Sequence, residues 1–231
     1  GDFDFLFVGD FKFEVIEPLI EKYIGSLKSL DRNDIFIDHN IRRNQNKEYI
    51  EYVEEDSKKA TVIRIYNKEF NYSFKEKIKS RLLFSILDKL LFDEVREKDN
   101  LVYSISASKN FDQKIPIELM SFYTYFNSDP KNVDKIKDKI DLVINKIKTK
   151  DFDLQVFKDQ KLALKNSYQS SLESNDFWFS VLKDARQHNL SIERITNADV
   201  MLKSISLNDI ARLADYYFDE NYTRSVMLLA E

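Results

Sequence analysis

Between Lys75 and Ser108 the spacing of apolar residues switches from helical to strand-like across one short charged turn. In "KIKSRLLFSILDKLLFDEVRE", Leu82, Leu83, Ile86, Leu87, Leu90, Leu91 and Val95 form a single stripe at helical spacing. The polar residues Glu97 to Asn100 follow, and a strand is then predicted over Leu101–Ser108. An apolar stripe must be covered by another element. A turn this short leaves the next strand close to the helix that precedes it, so a helix laid on a sheet is expected.

The rest of the chain fits that scheme. Asp2 to Val8 places Phe3, Phe5 and Phe7 at period two and predicts an opening strand. A helix follows, carrying Val15, Ile16, Leu19, Ile20, Tyr23 and Ile24, with Pro18 in its first turns and Gly25 near its end. Strands are expected at Tyr49–Val53, Ala60–Tyr66, Ile117–Phe126 and Thr223–Leu229. Helices are expected over residues 131–150, 153–172, 176–188, 192–202 and 207–218, with Ser206 and Ser174 or Asn175 as N-caps. The reading is one α+β domain over residues 1–231: strand-rich over 1–128, helix-rich over 129–220, with a closing strand at 223–229. Its helices cover a mostly antiparallel sheet. Because the chain opens directly into Gly1-Asp2-Phe3, it reads as a piece of a longer protein.

Several chemistries are excluded or disfavoured. No cysteine is present, which removes disulfides and thiol nucleophiles. Three glycines are too few for a phosphate-cradling loop, and no GxSxG elbow occurs. The two histidines, His39 and His188, are far apart and belong to neither an HExxH nor an HxxEH arrangement, so no zinc site is expected here. With 36 Lys+Arg against 40 Asp+Glu there is no basic surplus for nucleic acid. No apolar run is long enough to span a membrane. The lysines of residues 131–150 alternate with aspartates and read as a solvated face.

"LFDEVREKDNLVYSISAS", Leu91 to Ser108, resembles the LREKxGLVYS signature of zinc peptidases of the pitrilysin, insulin-degrading and mitochondrial-processing type. "FLFVGDFKFEVIEPLIEKYIGSL", "SLESNDFWFSVLKDA" and the closing "LKSISLNDIARLADYYFDENYTRSVMLLAE" resemble, in order, further segments of one unit of the larger bacterial members. The resemblance implies a clamshell of two or four related α+β units closing around a peptide. In that arrangement zinc is held by an HxxEH unit in the same or a partner chain. This chain would be a C-terminal non-zinc unit that supplies Arg96 and Tyr103 to the peptide. Analogy with the larger bacterial members also implies a periplasmic location. A peptidase-inactive binding or assembly module of the same fold is the alternative. Where the family carries glycine before LVYS this chain has Asn100, a residue that tolerates the left-handed conformation better than most. Trp178, with Val181 and Leu182, reads as a core-facing stripe.

Overall fold

The computed structural model describes residues 3–28, 35–42, 48–54, 59–69, 71–112, 117–192, 195, 197–219, 221 and 223–230. Its contacts group the chain into two compact units: residues 1–41 with 168–192, and residues 42–167 with 193–231. The sequence reading treats the chain as one domain, because no proline- or glycine-rich linker marks a boundary. The boundary near residue 168 falls inside the continuous helix Leu154–Ser171 (α4), where composition does not change.

In the larger unit five strands form one sheet: Glu48–Glu54 (β1), Ala60–Glu69 (β2), Val102–Asp112 (β3), Leu119–Ser128 (β4) and Thr223–Ala230 (β5). Their order is β1-β5-β2-β4-β3. β1 runs parallel to β5, and every other pairing is antiparallel. This matches the expected mostly antiparallel sheet.

Alternation along β2 and β4 decides which face the helices cover. Val62 and Tyr66 of β2 and Met120, Phe122 and Phe126 of β4 are buried. Against them pack three helices: Phe74–Leu91 (α2), Val133–Thr149 (α3) and Leu207–Tyr217, which is α7 once the short Ala198–Ser204 (α6) is counted. The stripe read from the sequence is the buried one: Leu82, Leu83, Ile86, Leu87 and Leu91 are fully enclosed, as are Ile136, Ile140 and Ile147 of α3. Phe122 sits among aromatic rings, 5.3 Å from Tyr217 and 5.2 Å from Phe218 between centroids.

Caps follow local chemistry. Ser73 accepts the Glu76 N–H at 3.1 Å, and Ser206 and Asp209 form a reciprocal capping box. At the sheet edge, Asp88 of α2 accepts the Ala107 N–H of β3 at 2.9 Å, which blunts an otherwise open ladder group.

The smaller unit holds the helices Phe13–Ile20 (α1), prolonged by a wider turn through Glu21–Gly25, and Asn175–His188 (α5). Trp178 is half-buried, its indole N–H donating to the Leu172 carbonyl at 2.8 Å and its ring packed on Phe177. Arg186 grips Asp4 with two bonds of 3.2 and 3.1 Å.

Two expectations need correction. Of the strand expected over Asp2–Val8, residues 3–8 pair with no described strand, and Phe3 is 84% exposed. Period-two spacing marks what a strand could bury, whereas pairing needs a partner edge. The helix expected over 192–202 is interrupted: Ile195 is helical, Asn197 lies in a turn and helix follows over Ala198–Ser204, while residues 193, 194 and 196 lie outside the described residues. Asn197 there stands ahead of the helix start, where a short amide side chain competes with helical hydrogen bonding.

Replacing Phe122 with alanine is expected to destabilise the larger unit by about 3–5 kcal/mol, as cavity formation in a closed core does. Urea denaturation followed by circular dichroism measures it.

Candidate substrate-contact site

The end of α2 is built differently from an ordinary helix terminus. Over Phe92–Glu97 the last turn widens, and the Lys98 N–H reaches back to the Asp93 carbonyl at 3.1 Å. Asn100 then turns left-handed, with φ 47°. Its N–H bonds the Arg96 carbonyl at 3.1 Å, and the Leu101 N–H bonds the Val95 carbonyl at 3.2 Å, closing the helix on itself. The left-handed residue is thus the one that replaces the family glycine.

Two ion pairs fasten this turn to α3. Glu94, only 9% exposed, accepts from Lys146 at 2.7 Å and from Lys98 at 2.8 Å. Those bonds, Lys146 first, hold its carboxyl down at about 2 against the opposing effect of burial. Asp99 lies 2.7 Å from Lys139, which draws its pKa below the usual carboxylate range. The lysines of α3 therefore do more than solvate an outer face, contrary to the sequence reading. Their partners lie far away in sequence, which a charge pattern along one helix cannot reveal.

Arg96 is left pointing outward. It is exposed, stacks over the Phe92 ring at 5.3 Å, and its guanidinium makes no hydrogen bond or ion pair with any described residue. Tyr103 follows at a β-bulge: Val102 pairs with Ser128 and Ser104 with Asn127, leaving Tyr103 without a register partner. A bulge bends a strand and re-aims one side chain. Tyr103 is 60% exposed, its ring lies 5.0 Å from the Lys59 ammonium, and its hydroxyl bonds no described residue. The two residues thus flank one rigid turn, with donor groups committed to nothing else described. Such groups can donate to carbonyl or carboxylate oxygens of a bound chain.

Tyr103 adjoins the sheet face opposite the helices. Register sets three rows across it: Thr61, Asn127 and Ser104, then Ile63, Tyr125 and Ser106, then Ile65, Tyr123 and Ser108. Thr61 donates to the Asn127 side-chain oxygen at 2.7 Å, and the Asn127 amide donates to the Tyr125 hydroxyl at 2.6 Å. The bulge and this network were not anticipated. The alternations "SISAS" and "YTYFN" carried the only hint, and they do not say which strand lies alongside.

Among the described residues no group of three or more His, Asp or Glu stands close enough to hold a metal ion, so these residues do not fit a zinc site. His39 is exposed, and the His188 side chain lies outside the described residues.

Residues 1–164 match the peptidase M16 inactive domain. The chain belongs to the M16 peptidase family. That membership agrees with the pitrilysin-type resemblance carried by Leu91–Ser108, and with an inactive domain lacking the HxxEH motif. Comparison with curated proteins finds no match. Among solved structures, the periplasmic protease PqqL from Escherichia coli superimposes with a TM-score of 0.78 at 17% identity, over 96% of this chain and 25% of that one. A protease from Helicobacter pylori gives 0.76 at 19% identity, over 96% of this chain and 54% of that one. The ferredoxin protease FusC, in complex with Arabidopsis ferredoxin, gives 0.78 at 13% identity, over 96% and 24%. At such identities the likeness is one of fold. This M16 chain spans between about a quarter and about half of the length of these proteins.

Replacing Asn100 with alanine is expected to cost about 1 kcal/mol, while glycine is tolerated, because only the former meets a Cβ penalty at positive φ without a compensating side chain. Thermal unfolding of the two variants separates them. Glu94→Gln is expected to lower stability by roughly 1–2 kcal/mol at neutral pH. A depressed carboxyl contributes stability above its unfolded pKa of 4.5 and loses it as pH falls through about 2. Urea titrations of wild type and Glu94→Gln should therefore differ at pH 7 and converge across that acid window.

Proposed function

We propose that this M16 domain is the zinc-free, peptide-contacting unit of a zinc metalloendopeptidase, closing the peptide chamber against a zinc-bearing HxxEH half in the same or a partner chain. One observation supports it above the others. Arg96 and Tyr103 stand on a turn fastened by Glu94 and Asp99, yet their side chains hydrogen-bond nothing among the described residues. A turn fixed this firmly presents its outward donors in one geometry.

The roles follow from the side chains. Arg96 offers a planar, permanently charged fork to a peptide carbonyl or a carboxylate. Tyr103, with a free hydroxyl, donates to the carbonyl oxygen on which negative charge develops during peptide hydrolysis. The metal would be held by the other half and would supply the activated water. No residue described here is assigned to it. A peptide added as an extended strand would be read chiefly through its main chain, giving broad specificity. A periplasmic location is supported by the likeness to PqqL, and no described helix is long and apolar enough to cross a membrane.

Peptide cleavage by the zinc-bearing half, titrated with this chain as wild type, Arg96→Ala or Tyr103→Phe, tests the proposal. Wild type should restore activity. Tyr103→Phe should lower kcat by about 100-fold, the usual effect of deleting one transition-state donor, with KM little changed. Arg96→Ala should mainly raise KM. Equal restoration by all three would make the unit a lid, and no restoration by wild type would make it an assembly module.

A further inference from the structure

β3 is the last strand of the sheet, and among the described residues only β4 adjoins it. The Ala107 N–H points away from β4, toward Asp88. Backbone groups alternate along an antiparallel strand, so Lys109 and Phe111 also turn their N–H and C=O groups to the open side. Asp88 covers the Ala107 N–H, and no described strand covers the groups beyond it. Beside that stretch α2 carries Lys77, Arg81 and Phe84, whose spacing puts them on one face of the helix. Lys109 lies over the Phe84 ring at 4.1 Å, and Lys77 over the Phe111 ring at 5.9 Å.

Lys109 is half-buried, yet its ammonium makes no hydrogen bond or ion pair with any described residue. Burial first, then the nearby Arg81 and Lys77, push that ammonium down to about 8, so at neutral pH it is still mostly charged. Arg81 is exposed, and its guanidinium likewise bonds no described residue. The acids of the surrounding elements are engaged elsewhere. Asp88 takes the Ala107 N–H, Glu76 pairs with Lys79, and Glu118 accepts the Tyr72 N–H at 2.6 Å. None of these three is among the groups that act on Lys109. What Lys109 and Arg81 lack is a carboxylate.

We propose that this corner is a docking site for an acidic segment of another polypeptide, which lies extended along β3 beyond Ala107 and sets an Asp or Glu side chain between Lys109 and Arg81. The site uses neither Arg96 nor Tyr103, so it goes beyond the proposed function and does not depend on it. Charge complementarity selects the acid. A half-buried, unpaired cation is relieved by a carboxylate, and a guanidinium fork beside it binds the same group with directed hydrogen bonds. The strand selects the polypeptide. A free anion would use the two cations and leave the open N–H and C=O groups of Lys109 and Phe111 unused, whereas an extended chain pairs with them.

The test is binding of fluorescent nonapeptides to the whole chain, read by anisotropy. The peptides carry Glu, Gln or Lys at three alternate positions and threonine elsewhere, so that an extended conformation puts the three on one side. The Glu peptide is expected to bind about tenfold more tightly than the Gln peptide, with the Lys peptide weakest. Arg81→Gln, at an exposed position, and Lys109→Gln should each remove most of that preference, while Lys109→Arg keeps it. Lys158→Gln, which removes the same charge from an exposed position on α4, should leave it unchanged. Equal binding of the Glu and Gln peptides by wild type, or the same loss in Lys158→Gln as in Arg81→Gln, overturns the inference. Release of the Glu peptide by an equal concentration of inorganic phosphate would make the cluster a small-anion site and overturn it as well. Because this readout needs neither cleavage nor the zinc-bearing half, its failure leaves the proposed function standing, and failure to restore cleavage leaves this site standing.

Discussion

Glu94 carries a buried carboxylate on the widened last turn of α2, and two lysines reach it, Lys146 from α3 and Lys98 from its own helix. A carboxylate enclosed this far would destabilise the fold if it lacked partners. With two charge-assisted hydrogen bonds it instead ties one helix end to another. The geometry of the following residues depends on that tie. The widened turn and the left-handed Asn100 deliver the chain into β3 with Leu101 and Val102 buried and Tyr103 outward. Arg96 lies within the fastened segment, so its direction is set by a neighbour two residues away that it never touches.

The sheet separates two kinds of chemistry by simple alternation. Residues pointing toward α2, α3 and α7 make a dense apolar layer in which Tyr66, Phe122 and Phe218 meet ring against ring. In the three rows that cross β2, β4 and β3, residues pointing the other way are hydroxyls, amides, tyrosines and two isoleucines. A one-residue slip would exchange the two faces, so the buried layer also holds the opposite face in register. The bulge at Tyr103 interrupts this alternation at one place, setting Tyr103 beside Ser104. Edge protection comes from the helical side, through the Asp88 bond to Ala107.

The role proposed for the two donors on the turn of this M16 domain has a physical reason. A unit that holds no metal itself would still act on a peptide by supplying fixed donors. Those are the features that the larger unit of this chain concentrates along one strand and the turn before it.

Much of this was legible in the sequence. The apolar stripe of α2, five further helices, five strands, the Ser206 cap and the tolerance of Asn100 for positive φ all follow from residues within a few positions of one another, and the structure contains them. The resemblance singled out Arg96 and Tyr103 together because their motif is contiguous, and both side chains are exposed beside one turn. What only the tertiary structure decided involves distant partners: the parallel pairing of β1 with β5, the Glu94–Lys146 tie across 52 residues, and the alignment of Thr61, Asn127 and Ser104 in one row. Residues 3–8 show the converse, since their alternation is plain in the sequence and no described strand pairs with them. Local spacing determines what each segment can bury. Which segments meet is decided by closure of the whole chain, where the cost of joining distant residues is repaid only once the shared core forms.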